Sequence, residues 1–247
     1  EAPAVMDEAT PSDLASLREP PAAPQVATHN FRFSEDYDLY PSGAKTKYKN
    51  NVMAIKLLKQ IELEKRTATP EEQIILARYV GWGGLANAFS STASGWENEY
   101  QELKSLLTDV EYKAAMNSTI TAYYTEPDLI RHIYRALERF GFEGGPDRKI
   151  LDPGMGTGNF YSVLPEQFQG SKLFGVELDS ITGRIAKQLY PDADISIMGY
   201  EATKFEDNSF DVILGNIPFN SVKIYDRRYN DLNPYIHDYF FIKSLDL

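Results

Sequence analysis

Apolar positions recur along this chain with two different periods. From residue 29 to about 118 they fall at helical spacing: Ala54, Leu57, Leu58 and Ile61 make one face, Ile74, Ile75, Ala77 and Val80 a second, and Tyr100 to Leu107 a third. Two threonines mark helix starts. Thr69-Pro70-Glu71-Glu72 and Thr108 with Glu111 both have the spacing of a capping box, and Pro70 sits where a helix tolerates proline best. Gly81-Trp82-Gly83-Gly84 interrupts the pattern as a compact turn whose indole is expected to plug a core. A further stripe, Leu129, Ile130, Ile133, Tyr134 and Leu137, predicts a helix capped by Thr125, running to Phe140 and stopped by Gly141.

From Lys149 onward the period changes. Short apolar runs at Ile150-Leu151, Leu173 to Val176, around Ile195 and from Phe210 to Leu214 read as four buried strands. Between the second and third, Ile181, Ile185, Ala186 and Leu189 lie on one face of a helix that Ser180 is placed to cap, and a last helix is expected from about Pro234 to Asp246. Strands alternating with helices predict an α/β, Rossmann-like parallel sheet. The chain divides on this reading into a disordered Ala/Pro-rich linker over 1–28, a helical domain over 29–118 and the α/β domain over 119–247.

The chemistry is concentrated where strands end. The first strand runs into Asp152, Gly154, Gly156 and Gly158, spaced Asp-x-Gly-x-Gly-x-Gly. A dinucleotide loop would carry its third glycine at position 159, which is asparagine, so a nicotinamide dehydrogenase is disfavoured. The second strand ends at Glu177, placed to chelate both ribose hydroxyls of a bound nucleoside. The fourth ends in Asn216-Ile217-Pro218-Phe219. The glycine loop resembles that of S-adenosylmethionine (SAM) methyltransferases, and the last segment resembles the Asn-Pro-Pro-Tyr/Phe motif of amino-methyltransferases. The physical logic fits. An exocyclic ring amine is a poor nucleophile, so a site must accept both its protons and hold nitrogen in line with the methyl group. The Asn216 amide oxygen and the Ile217 carbonyl are candidate acceptors, and Phe219 a stacking surface for a planar ring.

Together with Tyr123-Tyr124-Thr125-Glu126-Pro127, these segments occur in the order and spacing of adenine-N6 DNA methyltransferases. Ala77-Arg78-Tyr79-Val80-Gly81-Trp82-Gly83-Gly84-Leu85 and Ile236-His237-Asp238-Tyr239-Phe240-Phe241 narrow the likeness to the large helicase-methylase fusion proteins of phages and conjugative elements. The resemblance implies methyl transfer from SAM to the N6 amine of adenine, with the base flipped out of the duplex. It implies DNA as partner, a helicase-like region elsewhere in a longer polypeptide, and a methyltransferase sheet that the present chain carries only in part. It further implies that Tyr124 and Thr125 approach the methionine end of the donor, that Asp152 orders the loop, and that Glu201 contacts the donor adenine. Ile217 departs from the motif by removing a proline that would stiffen the acceptor loop.

Composition qualifies this picture. Lys+Arg 25 against Asp+Glu 36 gives a net charge of −11, awkward for gripping a phosphate backbone, so this part alone is expected to bind DNA weakly. Local basic groups stand at Lys45, Lys47 and Lys49 and at Lys223, Arg227 and Arg228. Two rival readings follow: a protein-glutamine methyltransferase, which suits the acidic balance, and a non-catalytic SAM-binding module of a larger assembly. With no cysteine and three scattered histidines, no metal site is expected, and with no apolar run of membrane-spanning length a cytoplasmic location fits.

Overall fold

The computed structural model describes residues 29–119 and 125–247. Helices α1 (Ala44–Leu63), α2 (Pro70–Ala77), α3 (Glu97–Leu106) and α4 (Asp109–Ser118) form the first layer. Both expected capping boxes are present. The Thr69 hydroxyl accepts the Glu72 N–H while Glu72 accepts the Thr69 N–H, and Thr108 and Glu111 repeat the exchange. Trp82 is buried against the rings of Tyr48, Tyr79 and Phe89. The buried side of α2 consists of Gln73 and Leu76, whereas Ile74 and Ala77 are only partly covered. Gln73 is drawn inward because its amide donates to the Gln188 carbonyl at 2.9 Å.

Helix α5 (Pro127–Arg139) precedes the sheet. Its N-cap is Glu126 and not Thr125, since Pro127 occupies the first helical position; the Thr125 carbonyl instead accepts from the Asn159 amide at 3.3 Å. Strand β1 (Lys149–Asp152), the single-turn helix α6 (Asn159–Ser162), β2 (Lys172–Glu177), α7 (Ser180–Leu189), β3 (Asp194–Ile197), β4 (Val212–Ile213) and α8 (Ile236–Asp246) complete the chain. Ser180 is the first residue of α7, and the cap belongs to Asp179, whose carboxylate accepts the Thr182 N–H at 2.8 Å.

Among the described residues four strands form one parallel sheet in the order β3-β2-β1-β4, with Asp152 level with Gly175 and Leu151 level with Ile213. Strand residues alternate between faces. Ile150 and Leu173 join a cluster that runs without a break through α7 into Ile55, Leu58, Leu76 and Trp82 of the helical layer. Leu151 and Val176 point the other way, into a cluster with Tyr200, Tyr239 and Phe240. Arg184 of α7 seals the first junction, pairing with Glu62 at 2.8 Å and Glu111 at 2.5 Å. No helix among the described residues is long and apolar enough to cross a membrane.

Candidate functional site

In a parallel sheet, ligands bind beyond the carboxyl ends of the strands where the order reverses. Here that place lies between β1, which is followed in sequence by its neighbour β2, and β4, which arrives from the far side. Asp152 ends β1, and Leu214, Gly215 and Asn216 continue β4, so the glycine loop and the Asn216 segment emerge side by side.

Contact geometry joins them. A methyl group built on Gly154 would make ordinary van der Waals contacts, 3.6 Å from the Phe240 ring, 3.7 Å from the Asn216 carbonyl oxygen and 3.9 Å from Pro218 Cδ, so the glycine loop packs directly beside that segment. Gly158 is more constrained. Its φ is +89°, and a Cβ there would come within 2.3 Å of the Tyr190 ring. The Tyr190 hydroxyl donates to the Gly158 carbonyl at 2.7 Å, so core packing also requires glycine at this position.

Two carboxylates organise the loop. Asp152 is buried, its Oδ1 accepts the Gly154 N–H at 3.2 Å, and the absence of a side chain at Gly215 gives that oxygen its room. Burial pushes its pKa up to about 8, with the nearby Glu177 adding to the rise and the Gly154 N–H opposing it. Glu177 is half-buried and accepts two backbone N–H groups, Asp179 at 2.7 Å and Gly156 at 2.9 Å. Desolvation raises it to about 7 against those two bonds, with the Asp179 charge adding to the rise. Each carboxylate oxygen keeps a further acceptor direction, which two ribose hydroxyls can fill. The site residues therefore fit a nucleoside-bearing donor.

The remaining candidates fall as follows. Asn216 is exposed at the end of β4, Ile217 packs on the α8-side core, Pro218 adjoins Gly154, and Phe219 is 72% exposed. Thr125 reaches the start of α6 through its carbonyl; Tyr124 lies outside the described residues. Glu201 is exposed on the turn beyond β3, folded back over Gly199. Its neighbour Tyr200 is the buried member, its ring 4.9 Å from that of Phe240. Sequence reasoning passed over Lys243, which is buried and donates to the Tyr200 carbonyl at 2.6 Å while standing 3.8 Å from Asp226. It thereby ties the turn beyond β3 to the stretch that follows Phe219. A lysine at helical spacing within an aromatic stripe was the available signal.

Residues 151–228 match the family described as "Methyltransferase domain". Over 203 residues, 79% of this chain, the sequence is 27% identical to "Defense against restriction protein B" of Escherichia phage P1. It is 32% identical over 78 residues, 32% of this chain, to "Modification methylase CviBIII" of Paramecium bursaria Chlorella virus NC1A. The matches span only 7% and 21% of those two proteins. Among solved structures, a TehB-like SAM-dependent methyltransferase from Corynebacterium glutamicum is 25% identical, over 36% of this chain and 54% of that one, with a TM-score of 0.25. The parallel α/β sheet and the family match give this chain the Rossmann-like fold of SAM-dependent methyltransferases, with a helical layer before it.

Proposed function

We propose that the chain binds SAM and directs its methyl group to the exocyclic N6 amine of adenine in DNA. The observation that carries the reading is the meeting of Gly154 with Asn216 and Pro218 beside the buried Asp152. A donor loop and a segment suited to hold an amine share the carboxyl end of the sheet. When bound, SAM supplies an electrophilic methyl on a sulfonium. The chain's own residues do the rest. Glu177 accepts the ribose hydroxyls, Asp152 orders the loop and, ionising once the methionine ammonium stands beside it, offers that ammonium a negative group, and the loop at Gly154 lies against the Asn216 segment. The Asn216 amide oxygen and the Ile217 carbonyl accept the two amine protons, which orients the nitrogen lone pair along the transfer line. Phe219 offers a face to the ring that bears the amine.

The family match over 151–228 supports methyl transfer, and the likeness to a viral modification methylase supports DNA as substrate. The net charge of −11 favours one second reading, an amide-bearing protein substrate held by the same acceptor pair. Calorimetric titration with SAM, followed by transfer of labelled methyl to DNA, tests the first. Asn216→Ala is expected to keep SAM binding and to lose transfer by at least a hundredfold; a variant that transfers at the wild-type rate removes Asn216 from its role. Label appearing in protein amides and not in DNA selects the second reading.

A further inference from the structure

Phe219 has a partner that the motif does not contain. Its ring lies on the imidazole of His237 with centroids 4.6 Å apart and planes only 5° from parallel. Tyr235 lies nearly parallel to the same imidazole, at 5.9 Å and 13°, and Lys223 Nζ stands 3.8 Å over the Tyr235 ring. Backbone pairing brings these groups together: Lys223 bridges Tyr235 in antiparallel fashion, and the Ile236 N–H donates to the Val222 carbonyl at 2.9 Å. The stretch after Phe219 is thus pinned to the start of α8, which carries His237 under the ring.

Stacking, not hydrogen bonding, sets the plane of that imidazole. Nδ1 is buried without a hydrogen-bond partner among the described residues, and Nε2 is 3.7 Å from the nearest Asp238 oxygen, beyond hydrogen-bond reach. Phe219 is 72% exposed with one face on His237, which leaves its other face open. We infer that His237 is a positioning residue, a planar brace that fixes Phe219 so that its free face receives the ring of the substrate. This rests on the reading of Asn216–Phe219 as the amine-holding segment. An unbraced phenylalanine on an exposed stretch would lose rotamer freedom each time a ring stacked on it. With the brace, that freedom is already lost in the free protein, and the aromatic surface is preorganised.

The test uses the whole protein, SAM's unreactive analogue sinefungin, and an oligonucleotide carrying 2-aminopurine in place of the target adenine. Four variants are compared: His237→Leu, His237→Phe, Phe219→Ala and the double variant Phe219→Ala/His237→Leu. Leucine fills the space without a planar face; phenylalanine keeps the plane and discards the nitrogens. His237→Leu is expected to weaken capture of the ring about tenfold, with SAM affinity unchanged. His237→Phe restores it, and His237→Leu adds nothing once Phe219 is gone. Capture by His237→Leu at wild-type strength overturns the inference, as does failure of phenylalanine to rescue or an equal loss in the Phe219→Ala background. A lost SAM affinity in His237→Leu would assign the residue to the fold instead. Asn216→Ala, run alongside for transfer, separates the two readings. If it abolishes transfer while His237→Leu changes nothing, only the brace falls; if it transfers normally, or the wild type captures no ring, the functional reading falls and takes the brace with it.

Discussion

Two sets of carboxylates in this molecule, each at least half withdrawn from water, titrate in opposite directions. At the junction of helical layer and sheet, Glu111 resists burial because it accepts the Thr108 N–H and faces Lys59 and Arg184, which hold it down at about 2. Glu72 receives both arms of the Arg66 guanidinium, at 2.6 and 2.7 Å, and is likewise lowered. At the carboxyl ends of the two central strands Asp152 and Glu177 have backbone N–H donors and, among the described residues, no cation within salt-bridge distance, and burial lifts them to about 8 and about 7. Burial acts alike on all four; a nearby positive charge decides the outcome. The junction carries its own cations. The site leaves that place for a ligand, and SAM brings an ammonium and a sulfonium.

The comparison can be broken most strongly at the site. A carboxyl whose folded pKa lies above its unfolded value contributes stability that is complete below the unfolded pKa near 4 and is lost as pH rises toward about 8. Asp152→Asn keeps an acceptor for the Gly154 N–H and cannot ionise. The ligand-free variant is therefore expected to be more stable than wild type at pH 8 by about 2 kcal/mol, with the gap closing toward pH 4. Parallel stability curves across that range would mean that Asp152 is ionised throughout. A smaller effect sharpens the comparison at Glu177. SAM affinity should rise about tenfold from pH 6 to pH 8 as this group ionises, an effect of about 1.4 kcal/mol. Glu177→Gln should bind about tenfold more weakly at pH 8 and keep only the shallower rise that ionisation of Asp152, near pH 8, supplies. A wild-type affinity that is flat with pH would exclude Glu177 as the titrating acceptor. The smallest effect lies at the junction. Arg184→Ala strips one cation from Glu62 and Glu111 and is expected to lower stability by about 1 kcal/mol, because Glu111 keeps Lys59 while Glu62, a third exposed, is left to water. Urea unfolding reads this; an unchanged midpoint would leave Lys59 as sufficient by itself.

Local patterns revealed what local physics determines. Both capping boxes, the four strands, the glycine loop and Glu177 at the end of β2 follow from neighbours along the chain, and the structure brings the loop, Glu177 and the Asn216 segment to the carboxyl end of the sheet. What escaped depends on residues distant in sequence. Gln73 falls outside the apolar face of Ile74, Ile75, Ala77 and Val80, and only the Gln188 carbonyl, distant in sequence, explains its burial. Gly158 reads as one glycine of the loop, and its second constraint emerges only when Tyr190 is packed against it. His237 reads as one of three scattered histidines until Phe219 is laid on its ring. The displaced caps at Glu126 and Asp179 are errors of one residue, where two adjacent side chains could each have begun the helix.

The unbroken hydrophobic cluster between helical layer and sheet bears on how such a chain can be cut or recombined. Phe31 and Phe33 donate backbone hydrogen bonds to the carbonyls of Leu189 and Ser162, and Ile181, Ile185 and Leu189 share their core with Leu58 and Leu76. A splice at residue 119, the domain boundary expected from the sequence, would leave those five apolar side chains facing water on two separate halves. Exchange of the catalytic part between related proteins must carry the helical layer with it.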